Sequence, residues 1–152
     1  MCGRTPLTMQ VREAHAEDVG ALADLATQLG YPSHPEEVLH RLRCLVPERS
    51  RVLVAVVDAC VVGWVRVSLY PTLVTDGAAQ ILGLVVDQEW RDKGIGRALL
   101  EAAEAWALDR ACRTMLVRSN IIRREAHDFY RHLGYQQGKT SVTFAKVLGG
   151  EH

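Results

Sequence analysis

An α/β domain, with a central mixed and mostly antiparallel sheet and helices on both faces, is the fold class this sequence predicts. Three observations lead there. Valine-rich segments Arg51–Val57 and Val61–Leu69 flank Asp58-Ala59-Cys60 and read as two antiparallel strands about a tight turn. Stretches with apolar residues at helical spacing alternate with further strands. The resulting order, β-α-α-β-β-β-α-β-α-β, combines hairpins with crossover helices, and a mixed sheet covered on both faces buries them most economically.

Residues 1–8 read as a flexible leader, followed by a first strand near Met9–Glu13. Val19, Leu22, Leu25, Ala26 and Leu29 lie at helical spacing, and Gly30 is suited to stop that helix. Ser33-His34-Pro35-Glu36 opens a second helix, to about Leu45, with Ser33 and Glu36 as reciprocal caps. After the hairpin comes a loop, Pro71 to Gly77, and then Ala78–Val86, an apolar run typical of a strand buried on both faces. Gly83 interrupts it and suggests a bulge or a close backbone approach. Ile95, Leu99, Ala102 and Trp106 recur at i, i+4, i+7 and i+11, marking a helix from Ile95 to about Arg110. Thr114–Ser119 is a short strand. Arg124–Leu133 repeats the helical pattern, with Gly134 as its cap, and Thr140–Val147 is expected to close the sheet. One domain over 9–148 and a tail at 149–152 complete the organisation.

The composition excludes several function classes. Lys+Arg and Asp+Glu both total 18, so no global field draws the chain to nucleic acid or to an anionic membrane. Neither an apolar signal region nor a span of ~18 apolar residues is present, which points to a soluble, cytoplasmic protein. Cys2, Cys44, Cys60 and Cys112 are scattered without a C-x-x-C pair, and three of them read as packing residues. The six histidines show no ligand spacing, so no metal is expected.

The chemistry concentrates between Ile81 and Leu100. A strand runs into a loop with two glycines, and the loop opens a helix whose first amides and dipole favour an anion. Arg91, Lys93 and Arg97 add positive charge there. The G-x-x-x-x-G-K-[ST] phosphate loop is absent, and Gly94-Ile95-Gly96 lacks the third glycine of a dinucleotide fingerprint. A pyrophosphate cradle of another kind is the physical reading; a connecting loop without a ligand is its bland competitor.

Arg91-x-x-Gly94-x-Gly96 after an apolar strand and before an amphipathic helix resembles the coenzyme A loop of GNAT acetyltransferases. Leu116-Val117-Arg118-Ser119-Asn120 and Ala126-His127-x-Phe129-Tyr130-x-x-Leu133-Gly134-Tyr135 are similar to that family's later strand and helix, and the resemblance spans about Val11 to Leu148. It implies a GNAT acyl-CoA N-acyltransferase fold with acetyl-CoA as acetyl donor. It also implies that main-chain groups near Leu84, Val85 and Val86 meet pantetheine, with Asn120 able to bond its amides. The amides of Arg91, Asp92, Lys93, Gly94, Ile95, Gly96 and Arg97 would meet pyrophosphate. Tyr130 matches the family's acid, which protonates the departing thiolate; a packed aromatic is the alternative.

The family's frequent strand glutamate has no counterpart, because the corresponding residues are Gln80-Ile81-Leu82-Gly83. Water, Asp76 or His34 is left to accept the amine proton. Tyr31, His34, Trp64, Tyr70 and Asp76 are candidate acceptor-pocket residues. The resemblance implies acetylation of a primary amine of a small molecule by direct attack in a ternary complex. A protein or peptide acetyltransferase and a non-catalytic acyl-CoA sensor stay open. Aminoglycoside 6'-N-acetyltransferases share the family and would be expected to show acidic groups for a polycationic acceptor, while ribosomal-protein acetyltransferases space their Asn and Tyr more closely than Asn120 and Tyr130. Dimers are common among the relatives, which leaves a homodimer open.

Overall fold

A computed structural model describes residues 8–71, 73–74, 77–118 and 124–149. Contacts divide the chain into two units, Met1–Arg118 and Ser119–His152.

In the first unit the strands β1 (Met9–Glu13), β2 (Ser50–Val57), β3 (Cys60–Leu69), β4 (Ala78–Val86) and β5 (Thr114–Val117) form one sheet in chain order. The first three pairings are antiparallel and β4–β5 is parallel. Connectivity explains the change: α3 (Ile95–Asp109) supplies the crossover that a parallel pair requires. The β2–β3 hairpin turns on Asp58 and Ala59, with φ of 50° and 66°, as a two-residue type I′ turn demands even without glycine.

Strand alternation sorts the layers. Val52, Val54 and Val56 of β2 pack with Trp64 against Leu22 of α1 (Val19–Leu29) and Val38 and Leu42 of α2 (Pro35–Arg43). Gly63 precedes Trp64 and faces the other way, where an added Cβ would lie 3.1 Å from Leu99 and 2.9 Å from the Val85 carbonyl. Helix α3 therefore lies on the opposite face and approaches closely because that position has no side chain. Its buried residues are Ile95, Leu99, Leu100, Ala103, Trp106 and Ala107. Ala103 replaces the expected Ala102, since four residues from Leu99 stays nearer the centre of the stripe than three.

Local anchors set the entry to α1. Asp18 accepts two bonds from the Arg12 guanidinium, at 2.8 and 3.0 Å, and a third from the His15 amide at 2.7 Å. These hold its carboxyl below the usual range despite burial. At α2 the expected Ser33/Glu36 cap is displaced by one residue: Pro35 is the first helical position, so His34 is the cap and donates its N–H to Glu37 at 3.0 Å. The cysteine expectation also needs correction. Cys112 is buried, which pushes its thiol up, but Cys44 at the end of α2 and Cys60 at the hairpin are exposed.

The second unit holds α4 (Arg124–His132), closed by Gly134 at φ 93° and a bond from the Tyr135 amide to the Tyr130 carbonyl. Phe129 and Tyr135 both meet the Tyr130 ring edge-to-face. The predicted final strand is absent: residues 140–147 carry no strand, and Val142, Phe144 and Val147 are exposed. β-Propensity produces a strand only where a ladder partner is paired to it, and the described sheet ends at β5.

Candidate active site

The site is organised by an irregularity in β4. Arg66 lies opposite Gly83 and Val67 opposite Ile81, so Leu82 is an extra residue on β4 and the strand bulges there. Both sequence readings of Gly83 are realised. The bulge is one; the close approach is the Trp64 indole, whose carbons would lie 2.7 and 2.9 Å from a Cβ at Gly83.

Beyond the bulge β4 leaves its neighbour. Parallel pairing with β5 stops at Ile81 with Val117, while β4 continues to Val86. The β5 side of Leu84, Val85 and Val86 therefore has no strand partner among the described residues, and an extended ligand can bond there as an added strand would. Asn120 lies outside the described residues.

After β4, the side chain of Asp87 accepts from the Glu89 amide at 2.9 Å and starts a 3-10 turn, Gln88–Trp90. The chain then turns through Asp92 at φ 62° and Gly94 at φ 80° into α3. Gly94 is the N-cap and contributes no side-chain hydrogen bond, so the first-turn amides of Ile95, Gly96 and Arg97 have no cap from it. Arg91, Lys93 and Arg97 are exposed around this turn. Arg97 meets Glu101 at 3.4 Å and Lys93 sits 6.0 Å from the Trp90 ring. Uncapped amides at the positive end of a fifteen-residue helix, with cations beside them, suit a pyrophosphate. Gln28 of α1 accepts from the Gln88 amide at 3.1 Å and ties this turn to the other face of the sheet.

On that other face lies a cavity of about 470 Å³, within the roughly 300–1,000 Å³ of small-molecule sites. Its β-side wall is Val52, Trp64, Arg66, Leu82 and Gly83. Its helical wall includes Leu22, Ala26, Leu29, Val38, Arg41 and Leu42, with Tyr31 and Ser33 at the link. Ala26 and Leu29, which fit the apolar stripe of α1, are only half-buried because they border this space. Of the candidate acceptor residues, Tyr31 and Trp64 meet here. His34 is instead the α2 cap, and Tyr70 lies past the end of β3, where its hydroxyl accepts from Arg118 at 3.0 Å. Asp76 is outside the described residues. The sequence reading did not single out Arg41, Arg66 or Gln28. Arg66 had a signal: on a strand it shares a face with Trp64, two residues earlier.

The family model of the acetyltransferase (GNAT) family matches residues 16–135. The chain belongs to this family. As a GNAT protein it is an acetyl-CoA-dependent acetyltransferase, and the β4 edge left without a strand partner among the described residues and the uncapped α3 turn fit that donor. The chain is 28% identical over 143 residues to aminoglycoside N(6')-acetyltransferase type 1 of Stenotrophomonas maltophilia, covering 91% of this chain and 93% of that protein. It is 26% identical over 147 residues to the protein of the same name from Acinetobacter baumannii, covering 93% and 98%. Among solved structures, aminoglycoside N-acetyltransferase AAC(6')-Iy in complex with CoA superposes with a TM-score of 0.80 at 17% identity, over 94% of this chain and 97% of that one. A transcriptional regulator from Bacillus halodurans C-125 superposes with 0.79 at 20% identity, over 91% and 100%. Such likeness establishes the GNAT fold.

Proposed function

We propose that this GNAT protein moves the acetyl group of acetyl-CoA onto a primary amine of a small molecule, by direct attack in a ternary complex. The observation that carries this reading is the bulged strand β4. Leu82 and Gly83 line a cavity of small-molecule size, and the next three residues have an edge with no strand partner among the described residues, which suits pantetheine. This arrangement supports a reading in which donor and acceptor lie along one strand. The relatives named as aminoglycoside N(6')-acetyltransferases support a small-molecule amine as the acceptor class.

In this mechanism the neutral amine attacks the thioester carbonyl, a C–N bond forms, the C–S bond breaks, and the thiolate takes up a proton. Main-chain groups of Leu84, Val85 and Val86 and the amides from Arg91 to Arg97 hold the donor, with Asn120 as a further pantetheine contact. Tyr130 is assigned the acid on the family motif; a tyrosine of pKa about 10 protonates a thiolate at little thermodynamic cost. The residues at the bulge include no carboxylate, which leaves water, Asp76 or His34 to accept the ammonium proton. Residues 9–148 act as one catalytic domain. Among the described residues no helix is long and apolar enough to cross a membrane, and we place the enzyme in the cytoplasm.

Initial-velocity kinetics test the ternary complex. Double-reciprocal lines should intersect, and intact-mass analysis with acetyl-CoA alone should find unmodified protein. Parallel lines together with an acetylated enzyme would replace direct attack by a covalent route.

A further inference from the structure

The cavity has a charge that the acceptor must complement. We propose that the acceptor is a primary amine carrying a compact apolar body and a carboxylate, with Arg66 the principal carboxylate-binding residue, and that polycationic amines are poor acceptors. This rests on the acetyl-transfer reading above and narrows it.

Among the described residues no Asp or Glu lines the cavity, whereas Arg41 and Arg66 both do. Arg66 makes no ion pair with a described residue, and its Nε is buried without a hydrogen-bond partner. Trp64 Nε1, in the same wall, is equally buried and unpartnered. Guanidinium and indole groups only donate, so the ligand group they call for is an acceptor. Arg41 is already 4.0 Å from Glu37, which leaves one uncompensated guanidinium. A single carboxylate balances one such charge and fits its donor fork, whereas a phosphate dianion would exceed it.

The rest of the lining is mainly aliphatic, with Leu22, Leu29, Leu42 and Leu82 sharing the wall with Trp64. Such walls reward an apolar body. A polyamine or aminoglycoside would bring several positive charges beside the unpaired Arg66 guanidinium, with no carboxylate among the described lining residues to receive them; that juxtaposition opposes binding. The cavity thus differs in charge from what the names of the aminoglycoside relatives would require. The reaction itself is unchanged: the amine nitrogen bonds to the acetyl carbon, sulfur departs as thiolate and is protonated, and the carboxylate takes no part in bond making.

The test is coenzyme A thiol release with three probes: phenylalanine, phenethylamine as the same body without the carboxylate, and kanamycin as the polycation. Wild-type kcat/KM should be at least about tenfold higher for phenylalanine than for either other probe. Arg66→Gln should raise KM for phenylalanine by about tenfold or more relative to its effect on phenethylamine, with the acetyl-CoA Kd retained, and Arg66→Lys should recover part of the loss. Kanamycin as the preferred acceptor, or an Arg66→Gln effect equal for all probes, overturns the proposal. If Arg66→Gln fails to fold by thermal melting, the wild-type ranking alone decides. Thiol release with kanamycin but not phenylalanine sinks only this inference. Acetyl-CoA binding with no release from any probe would sink the acetyl-transfer reading and this inference with it.

Discussion

Replacing Gly83 by alanine probes the junction of the two half-sites with one methyl group. The new Cβ would lie 2.7 and 2.9 Å from two carbons of the Trp64 six-membered ring, against about 3.5–4.0 Å for an unstrained carbon pair. The ring must therefore shift by roughly 1 Å. Trp64 forms part of the cavity wall, so the shift reshapes the proposed acceptor site while the turn from Arg91 to Gly94 is untouched. Overpacking of this kind costs about 1–3 kcal/mol, and each kcal/mol lowers Tm by about 2–4 °C in a chain of this size. Acceptor KM should rise by about tenfold or more, because a displacement near 1 Å in a binding site is costly. Thermal melting, steady-state kinetics and calorimetric titration of acetyl-CoA read these effects separately, and the acetyl-CoA Kd should not move. Trp64→Leu removes the obstructing ring, so the double variant should be less destabilised than the sum of the singles by roughly 1 kcal/mol or more. An unchanged Tm with unchanged kinetics, or a strictly additive cycle, would refute the packing argument.

The other predictions test the donor side, the acid, the proton balance and the fold. Gly96→Val in the first turn of α3 should keep the domain folded but weaken acetyl-CoA at least tenfold by calorimetry, as a side chain intrudes on the cradle. Tyr130→Phe keeps the ring and loses the hydroxyl, so kcat should fall about 10²-fold with little change in acetyl-CoA affinity; retained turnover returns Tyr130 to a packing role. With no carboxylate in Gln80–Gly83 to take the amine proton, kcat/KM should climb from about pH 6 to 9 without a neutral plateau, and a profile flat above pH 7 would direct attention to Asp76 and His34. Asp18→Asn should cost roughly 1–3 kcal/mol through the Arg12 and His15 bonds. Because Asp18 is lowered on folding, that stability is complete above its ordinary value of 3.8 and drains as pH falls through the folded value, so the acid limb of the Tm profile should flatten in the variant.

Periodicity and local chemistry determined the identity and order of nine elements, because a helix stripe or a valine-rich strand is written in neighbouring residues. The same holds for the donor loop. Arg91-x-x-Gly94-x-Gly96 is contiguous, and the left-handed Gly94 and the helix it opens follow from a few adjacent positions. Gly83 was legible as a bulge or a close approach, but only the fold shows that both occur and that Trp64 causes the second. Residues 140–147 mark where local propensity ceases to decide, since a strand is completed by a partner distant in sequence. The charge of the acceptor cavity was equally beyond reach of the chain read in order. Arg41 comes from α2, Arg66 from β3 and Leu82 from the bulge in β4, and tertiary packing alone brings these side chains around one space whose described lining holds no carboxylate.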